Sequence, residues 1–368
     1  MTPRCGAWWT SGDATDAADR VIDRAASTSP AAPRTTSRLP ALDGLRAIAV
    51  ATVVFYHAGF LVPGDLGVQL FFALSGFLIT RLLIEEYASS GHVDYRAFVL
   101  RRAFRILPAY YAFLAGSYVL DHLAGARWST GMTVSSLTYL YNYWAAAQGS
   151  PVTPLSHTWS LSVEEHFYLL WPLAFLALAR KGPRILARGC AGLVVMVMIW
   201  RCVLWLQTGD GAIVYNRSDT RIDSILVGCL LACLASNKRM EPGLWASWLP
   251  VVTVAALLLV RSALPRGFHY SVGFTVEAVL CAAIIMQLLQ LSGTRYWSWL
   301  DSTFARWLGT LSYSIYLWHG WGISIARHLP PIAGARLLGG LLLTLGLAAC
   351  SYYVVERPAL ALRDRISR

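Results

Sequence analysis

Long apolar runs separated by short basic segments dominate this chain from about residue 39 to residue 355. A helix needs about 20 residues to cross roughly 30 Å of hydrocarbon. Ten runs approach that length: 45–62, 66–86, 104–122, 162–179, 185–206, 221–236, 244–262, 272–291, 308–327 and 335–355. An eleventh stretch, 132–146, is short and dense in Tyr, Asn and Trp, which predicts an interfacial or re-entrant segment. The pattern therefore predicts an all-α integral membrane protein, a bundle of about ten transmembrane helices with no internal repeat. With a cytoplasmic N-terminus, the inner segments hold clusters such as Arg96 to Arg105, Arg180 to Arg188, Lys238 and Arg239, and Arg357 to Arg368. They carry about twice as many Lys and Arg as the outer segments, so both termini are expected in the cytoplasm. An eleventh full crossing would reverse that bias. The expected location is the inner (plasma) membrane.

Composition agrees: 56% of residues are hydrophobic and only 14% charged, which excludes an ordinary soluble domain. A net charge of +11 would suit a nucleic-acid binder, but the cations sit between apolar runs, so no nucleic-acid partner is expected. The seven cysteines show no zinc-type spacing, and neither a metal nor a disulfide framework is expected. Residues 1–38, rich in Ala, Ser, Thr, Arg and Asp, read as a disordered tail or an over-extended start. The transmembrane domain is then 39–362, with a short tail over 363–368.

Arg46 and His57 lie eleven residues apart in the first run. At about 100° per residue, eleven steps leave roughly 20° over three turns, so both share a helix face about 16 Å apart along the axis. Ionisable groups inside a membrane are costly and mark function by default. A histidine suits the removal of a hydroxyl proton during acyl transfer. An arginine grips phosphate or carboxylate. The competing reading is a snorkelling arginine and a packing histidine. In the second run, Ser75 and Gly76 predict either close helix packing or a narrow passage for a thin substrate arm, with Ser75 as a contact. The basic run Arg101, Arg102 and Arg105 suits a polyphosphate donor or is a plain topology signal. In His157-Thr158-Trp159-Ser160-Leu161-Ser162-Val163-Glu164-Glu165, Ser160 or Ser162 could cap a helix whose positive end Glu164 and Glu165 favour. Alternatively one carboxylate points inward to orient a histidine or hold an acceptor hydroxyl, and Trp159 stacks on a sugar. Arg221 and Asp223 read as a local ion pair or as the lining of a polar cavity. His319 lies inside a span, and Glu356-Arg357-Pro358 reads as a stop at the inner interface.

Together these stretches resemble the acyltransferase family 3 membrane proteins, which include bacterial O-acetylases of O-antigen, peptidoglycan and exopolysaccharide and acyltransferases of macrolides. The resemblance covers about residues 39–362. It rests on Leu42-Asp43-Gly44-Leu45-Arg46 leading to His57, on Phe71 to Ile79, on Arg101 to Arg105, on His157 to Glu165, on Ser312 to His319, and on Glu356-Arg357-Pro358. It implies ten spans, no bound cofactor, an acyl-CoA donor (acetyl-CoA being the simplest) and an acceptor hydroxyl, often on a sugar. The family's arginine-ten-residues-histidine motif falls on Arg46 and His57, with His57 the base. Some members carry an added extracytoplasmic hydrolase-like domain, so any relay of the acyl group here would need a separate extracytoplasmic partner protein.

The expected roles follow. His57 is the catalytic base with Glu164 or Glu165 as its orienting carboxylate. Arg46, Arg101, Arg102, Arg105 and Ser75 meet the donor. His157, Trp159, Ser160, Arg221, Asp223 and His319 meet the acceptor, a cell-surface carbohydrate. One alternative acceptor is a macrolide or other glycosylated natural product. A non-enzyme alternative is a transporter or flippase, which duplicated, interrupted helices would favour.

Overall fold

The computed structural model describes residues 40–236, 248–291, 294–330 and 334–366; the expected tail over 1–38 and the basic pair Lys238 and Arg239 lie outside the described residues. Among the described residues there are helices and no strands. The long helices are α1 (Pro40–His57), α2 (Gly64–Ser90), α3 (Tyr95–Leu123), α6 (Thr158–Ala179), α7 (Pro183–Thr208), α9 (Ser218–Ser236), α10 (Leu249–Ala263), α12 (Phe274–Leu291), α13 (Thr303–Ala326) and α14 (Ala335–Ser351). Each coincides with one of the ten expected runs. Among the described residues, five continuous helices are long and apolar enough to cross a membrane: Gly64–Ser90, Tyr95–Leu123, Pro183–Thr208, Arg266–Leu291 and Ala335–Arg365. The protein is thus a helical membrane protein.

The stretch 132–146 forms two short helices, α4 (Thr130–Leu137) and α5 (Tyr141–Ala147), of 8 and 7 residues. At 1.5 Å per residue neither can span a bilayer. The remaining short helices among the described residues are α8 (Gly211–Asn216), α11 (Arg266–Phe268), α15 (Arg357–Ile366) and a 3-10 turn, Ser298–Asp301. Two π-helical turns interrupt longer rods: His269–Gly273 joins α11 to α12, and Tyr352–Glu356 joins α14 to α15. The stop expected at Glu356-Arg357-Pro358 is therefore corrected, because the chain stays helical through Ile366. Pro358 lacks an N–H, and the π turn just before it re-pairs the backbone without breaking the rod.

Local chemistry sets the helix ends. Asp94 caps α3 by accepting from the Ala97 N–H at 2.9 Å, and Ser302 caps α13 by accepting from the Ala305 N–H at 3.2 Å. Gly91 ends α2 with φ 72°, a left-handed conformation that costs glycine little.

Burial sorts the helices into centre and rim. The apolar window of α2 is 72% buried, whereas those of α7 and of the α14–α15 rod are 28% and 22% buried. Rim residues such as Met196, Ile199, Leu338 and Leu342 present apolar side chains outward, as lipid-facing helices do. At the centre α2 crosses α9 at backbone contact. A Cβ on Gly76 would stand 1.9 Å from the Ile225 carbonyl oxygen, and one on Gly228 would stand 2.1 Å from that of Ala73. Gly76 thus serves close packing. A similar contact joins α1 to α13, where a Cβ on Gly309 would lie 2.0 Å from the Asp43 carbonyl oxygen.

Candidate active site

Three cavities follow one another along α1. An inner cleft of about 370 Å³ is lined by Asp43, Arg46, Ser75, Arg102, Arg105 and Glu356 among others. A narrow central cavity of about 80 Å³ shares Arg46, Ser75, Arg102, Arg105 and Tyr168 with that cleft and adds Glu164, Glu165, Ser160 and Tyr316. An outer cavity of about 580 Å³ shares Val68 and Tyr316 with the central one and reaches His57, His157 and Trp159. A side cavity of about 480 Å³, lined by His57, Arg327 and Arg336, approaches His57 from the α13–α14 side. Arg46 therefore lines the cavities at one end of this row and His57 those at the other.

His57 is the last residue of α1 and is exposed, lining the outer cavity. Its Nδ1 lies 2.9 Å from the Val53 carbonyl oxygen. A carbonyl only accepts, so Nδ1 carries the proton and Nε2 keeps the lone pair that a base needs. The orienting partner is this backbone carbonyl rather than a carboxylate. His319 repeats the arrangement, with Nδ1 2.7 Å from the Tyr316 carbonyl oxygen. The three imidazoles form a row: His57 to His319 at 4.8 Å and His319 to His157 at 4.9 Å between ring centroids. His319 and His157 are buried, and neither Nε2 has a hydrogen-bond partner among the described residues.

The carboxylates sit nearer the arginine end. Ser75 Oγ donates to Glu164 Oε1 at 2.9 Å, and the Tyr168 hydroxyl lies 3.2 Å from Glu164 Oε2 and 3.1 Å from Ser75 Oγ. Glu164 is thus tied to the central cavity wall and has no bond to His57. Glu165 lines the same cavity, and its Oε1 has no hydrogen-bond partner among the described residues. The capping role weighed for Ser160 and Ser162 does not occur, because α6 starts earlier, at Thr158. Ser160 Oγ instead meets the Tyr316 hydroxyl at 2.6 Å, and that hydroxyl donates to the His157 carbonyl at 2.9 Å. Tyr316 is pinned where the central and outer cavities meet.

The basic run divides. Arg102 and Arg105 line the inner cleft, with the Arg102 guanidinium 5.7 Å from the Tyr168 ring centroid. Arg101 points away and pairs with Glu86 at 3.2 Å on the surface, so its grouping with the donor site is corrected. Arg46 has Asp43 at 3.9 Å.

Arg221 and Asp223 also depart from expectation. Two residues apart on a helix, they face away from each other and form no pair. Asp223 pairs with Arg201 at 2.9 Å, both fully buried. Arg201 also donates to the Thr220 and Ser271 carbonyls at 2.7 Å and to Thr275 at 2.6 Å, so all three of its nitrogens are bonded, while Asp223 Oδ1 has no hydrogen-bond partner among the described residues. Arg221 is buried behind Trp159 and Tyr215, with its guanidinium 3.6 Å from the Phe274 ring centroid and no hydrogen-bond partner among the described residues. Neither residue lines the passage.

Sequence reasoning did not single out Tyr168, Tyr313 or Tyr316, which line the central cavity, nor Arg201, which holds Asp223. Tyr316 lay inside a quoted motif, yet its partners are 156 residues or more away in sequence. Nothing local could have revealed them.

A family model described as an acyltransferase domain matches residues 39–356. The chain is 33% identical to YrhL of Bacillus subtilis over 350 residues, 87% of this chain and 54% of that protein. It is 29% identical to the peptidoglycan O-acetyltransferase OatA of Listeria monocytogenes, over 87% of this chain and 55% of that protein. It is 30% identical to the O-acetyltransferase OatA of Staphylococcus aureus, over 76% of this chain and 50% of that protein. The chain thus spans about half the length of the curated relatives it matches. No solved structure matches it.

Proposed function

This chain belongs to the acyltransferase 3 family, and from that premise we propose a membrane O-acyltransferase that moves an acetyl group from cytoplasmic acetyl-CoA to a hydroxyl of a cell-surface glycan, of the peptidoglycan class. In this reading ten helices cross the plasma membrane, both termini are cytoplasmic, and the Arg46 end of the bundle faces inward. The observation that carries it is the chain of cavities leading from Arg46 to His57.

Arg46, Arg102 and Arg105 hold the donor's phosphates in the inner cleft, where planar guanidiniums bind phosphate oxygens in pairs. The thin pantetheine arm threads the central cavity past Ser75, Glu164 and Tyr168. Its volume of about 80 Å³ suits a thin chain better than a nucleotide. Arg46 and His57 are about 16 Å apart along the helix, so the thioester arrives at Tyr316 and His57. There His57 Nε2 takes the proton of the acceptor hydroxyl as its oxygen attacks the thioester carbonyl. The tetrahedral intermediate collapses with loss of the CoA thiolate. The proton on His57 passes to that sulfur, leaving an ester and free CoA. In the outer cavity Tyr56, Trp159, Tyr215 and Tyr270 offer aromatic faces suited to sugar rings.

The test uses purified protein in nanodiscs with radiolabelled acetyl-CoA and glycan fragments. The wild type is expected to transfer label to the glycan, and His57→Ala to lose transfer while still binding acetyl-CoA. Full turnover by His57→Ala, or no labelled glycan from the wild type, overturns the proposal.

A further inference from the structure

The outer cavity that His57 and His157 line also holds a second set of ionisable groups that the proposed transfer chemistry leaves unused. Asp65, at the start of α2, and Arg261, near the end of α10, both line this cavity with His57. Arg261 Nε lies 2.7 Å from Asp65 Oδ2, with the two side chains 34% and 12% exposed. Behind them the set continues inward. His269 Nε2 is 3.9 Å from the same Asp65 oxygen, and His269 Nδ1 is 3.0 Å from Glu277 Oε1. Glu277 is fully buried, and Gln69 Nε2 lies 3.3 Å from its other oxygen while donating to the Phe274 carbonyl at 3.1 Å.

Two features say that this arrangement is more than glue. Glu277 lies within a helix long and apolar enough to span a membrane, where an ionisable group is costly and an apolar tie between α2, α10 and α12 would serve stability as well. In addition, His269 and Glu277 are eight residues apart, which in a regular α-helix leaves them about 80° out of line. The π turn His269–Gly273 takes up about one extra residue, which brings the effective spacing near seven and both side chains onto one face. The turn brings the imidazole and the carboxylate to ion-pair distance, with Nδ1 and Oε1 not aligned as a hydrogen bond, and the outer end of the set is the Asp65–Arg261 pair that lines the cavity.

We propose that Asp65 and Arg261 form an acceptor subsite that holds neighbouring hydroxyls of a sugar ring facing His57, with His269 and Glu277 as positioning residues behind it. The chemistry matches. Asp65 Oδ2 meets Arg261 and His269, which leaves Oδ1 to accept from a sugar hydroxyl. The remaining guanidinium N–H groups donate to the adjacent hydroxyl oxygen, and Tyr270, which lines the cavity beside the fork and stacks on Trp205 at 5.0 Å, offers a ring face. Charge-assisted bonds of this kind fix orientation more strongly than neutral ones. The subsite rests on the glycan-acceptor reading above.

The experiment measures glycan KM, kcat and acetyl-CoA binding for each variant in nanodiscs. Asp65→Asn, which keeps the shape of the side chain, and Arg261→Ala are expected to raise the glycan KM about ten- to a hundred-fold with kcat within about threefold. Acetyl-CoA binding, at the other end of the passage, stays at its wild-type value. His269→Ala raises glycan KM in the same direction, and His269→Gln, which restores a hydrogen-bonding group, recovers most of the loss. A glycan KM unchanged in Asp65→Asn and in Arg261→Ala overturns the subsite alone. A wild type that transfers nothing to glycan brings down the transfer reading and the subsite together, and that outcome is visible before any variant is made.

Discussion

Gly76→Ala tests whether the α2–α9 crossing holds the passage in shape. The added Cβ would stand 1.9 Å from the Ile225 carbonyl oxygen, 2.9 Å from its carbonyl carbon and 3.0 Å from the Cys229 nitrogen. All three are backbone atoms of a buried helix, so no side chain can swing aside. To restore even a 3.0 Å contact the helices must part by about 1 Å, and the reciprocal contact of Gly228 with Ala73 opens with them. Overpacking of this kind costs about 1–3 kcal/mol, and a backbone-to-backbone clash belongs at the upper end. By the usual scaling for a chain of this length, the upper end lowers the melting temperature by about 4 °C. Ser75 moves with its neighbour, which disturbs its bond to Glu164 and lowers transfer as well. Gly192→Ala is the control, because a Cβ there meets nothing within 4 Å. Melting of both variants in detergent, followed by tryptophan fluorescence, checks the argument. Equal melting temperatures for Gly76→Ala and Gly192→Ala would refute it.

Other predictions follow from the same geometry. Arg102→Ala and Arg105→Ala should each raise the acetyl-CoA KM by about tenfold or more through lost charge-assisted bonds, whereas Arg101→Ala, whose partner Glu86 is on the surface, should change it by less than about threefold; steady-state kinetics separates them. Asp223→Ala strands the Arg201 charge in the core and should cost about 3–5 kcal/mol, read as a lower melting temperature or loss of monodisperse protein. Arg221→Met replaces a buried guanidinium that has no hydrogen-bond partner among the described residues and should match or exceed wild-type stability; a large drop in melting temperature would show that the cation has an essential partner.

The sequence was most readable where one helix carries both partners. The eleven-residue spacing of Arg46 and His57 is enough to place them on one face, and the apolar runs match the long helices. It failed where partners come from different helices. Ser75 and Glu164 are 89 positions apart, and nothing in the order of residues says that Glu164 turns to Ser75 and Tyr168 rather than to a histidine. Arg101 and Arg102 are adjacent and chemically alike, so only helix phase within the bundle decides that one meets solvent and the other the cleft. Arg221 and Asp223 suggested a pair by proximity, yet i and i+2 positions cannot face each other on a helix, and the true partner of Asp223 comes from α7. Pro358 suggested a stop because a proline removes one helix bond; the π turn that accommodates it has no sequence signature.

The central claim is that a donor held at Arg46, Arg102 and Arg105 delivers its acyl end to His57 through the neck at Tyr316. An acyl-CoA analogue carrying a photoreactive diazirine in its acyl chain reports this directly, with the labelled residues read by mass spectrometry. The account predicts label on the C-terminal turn of α1 and on α13 around Tyr316 and His319, suppressed by excess acetyl-CoA. Label confined to residues around Arg46 and Glu356, with none reaching Tyr316 or His57, would contradict it.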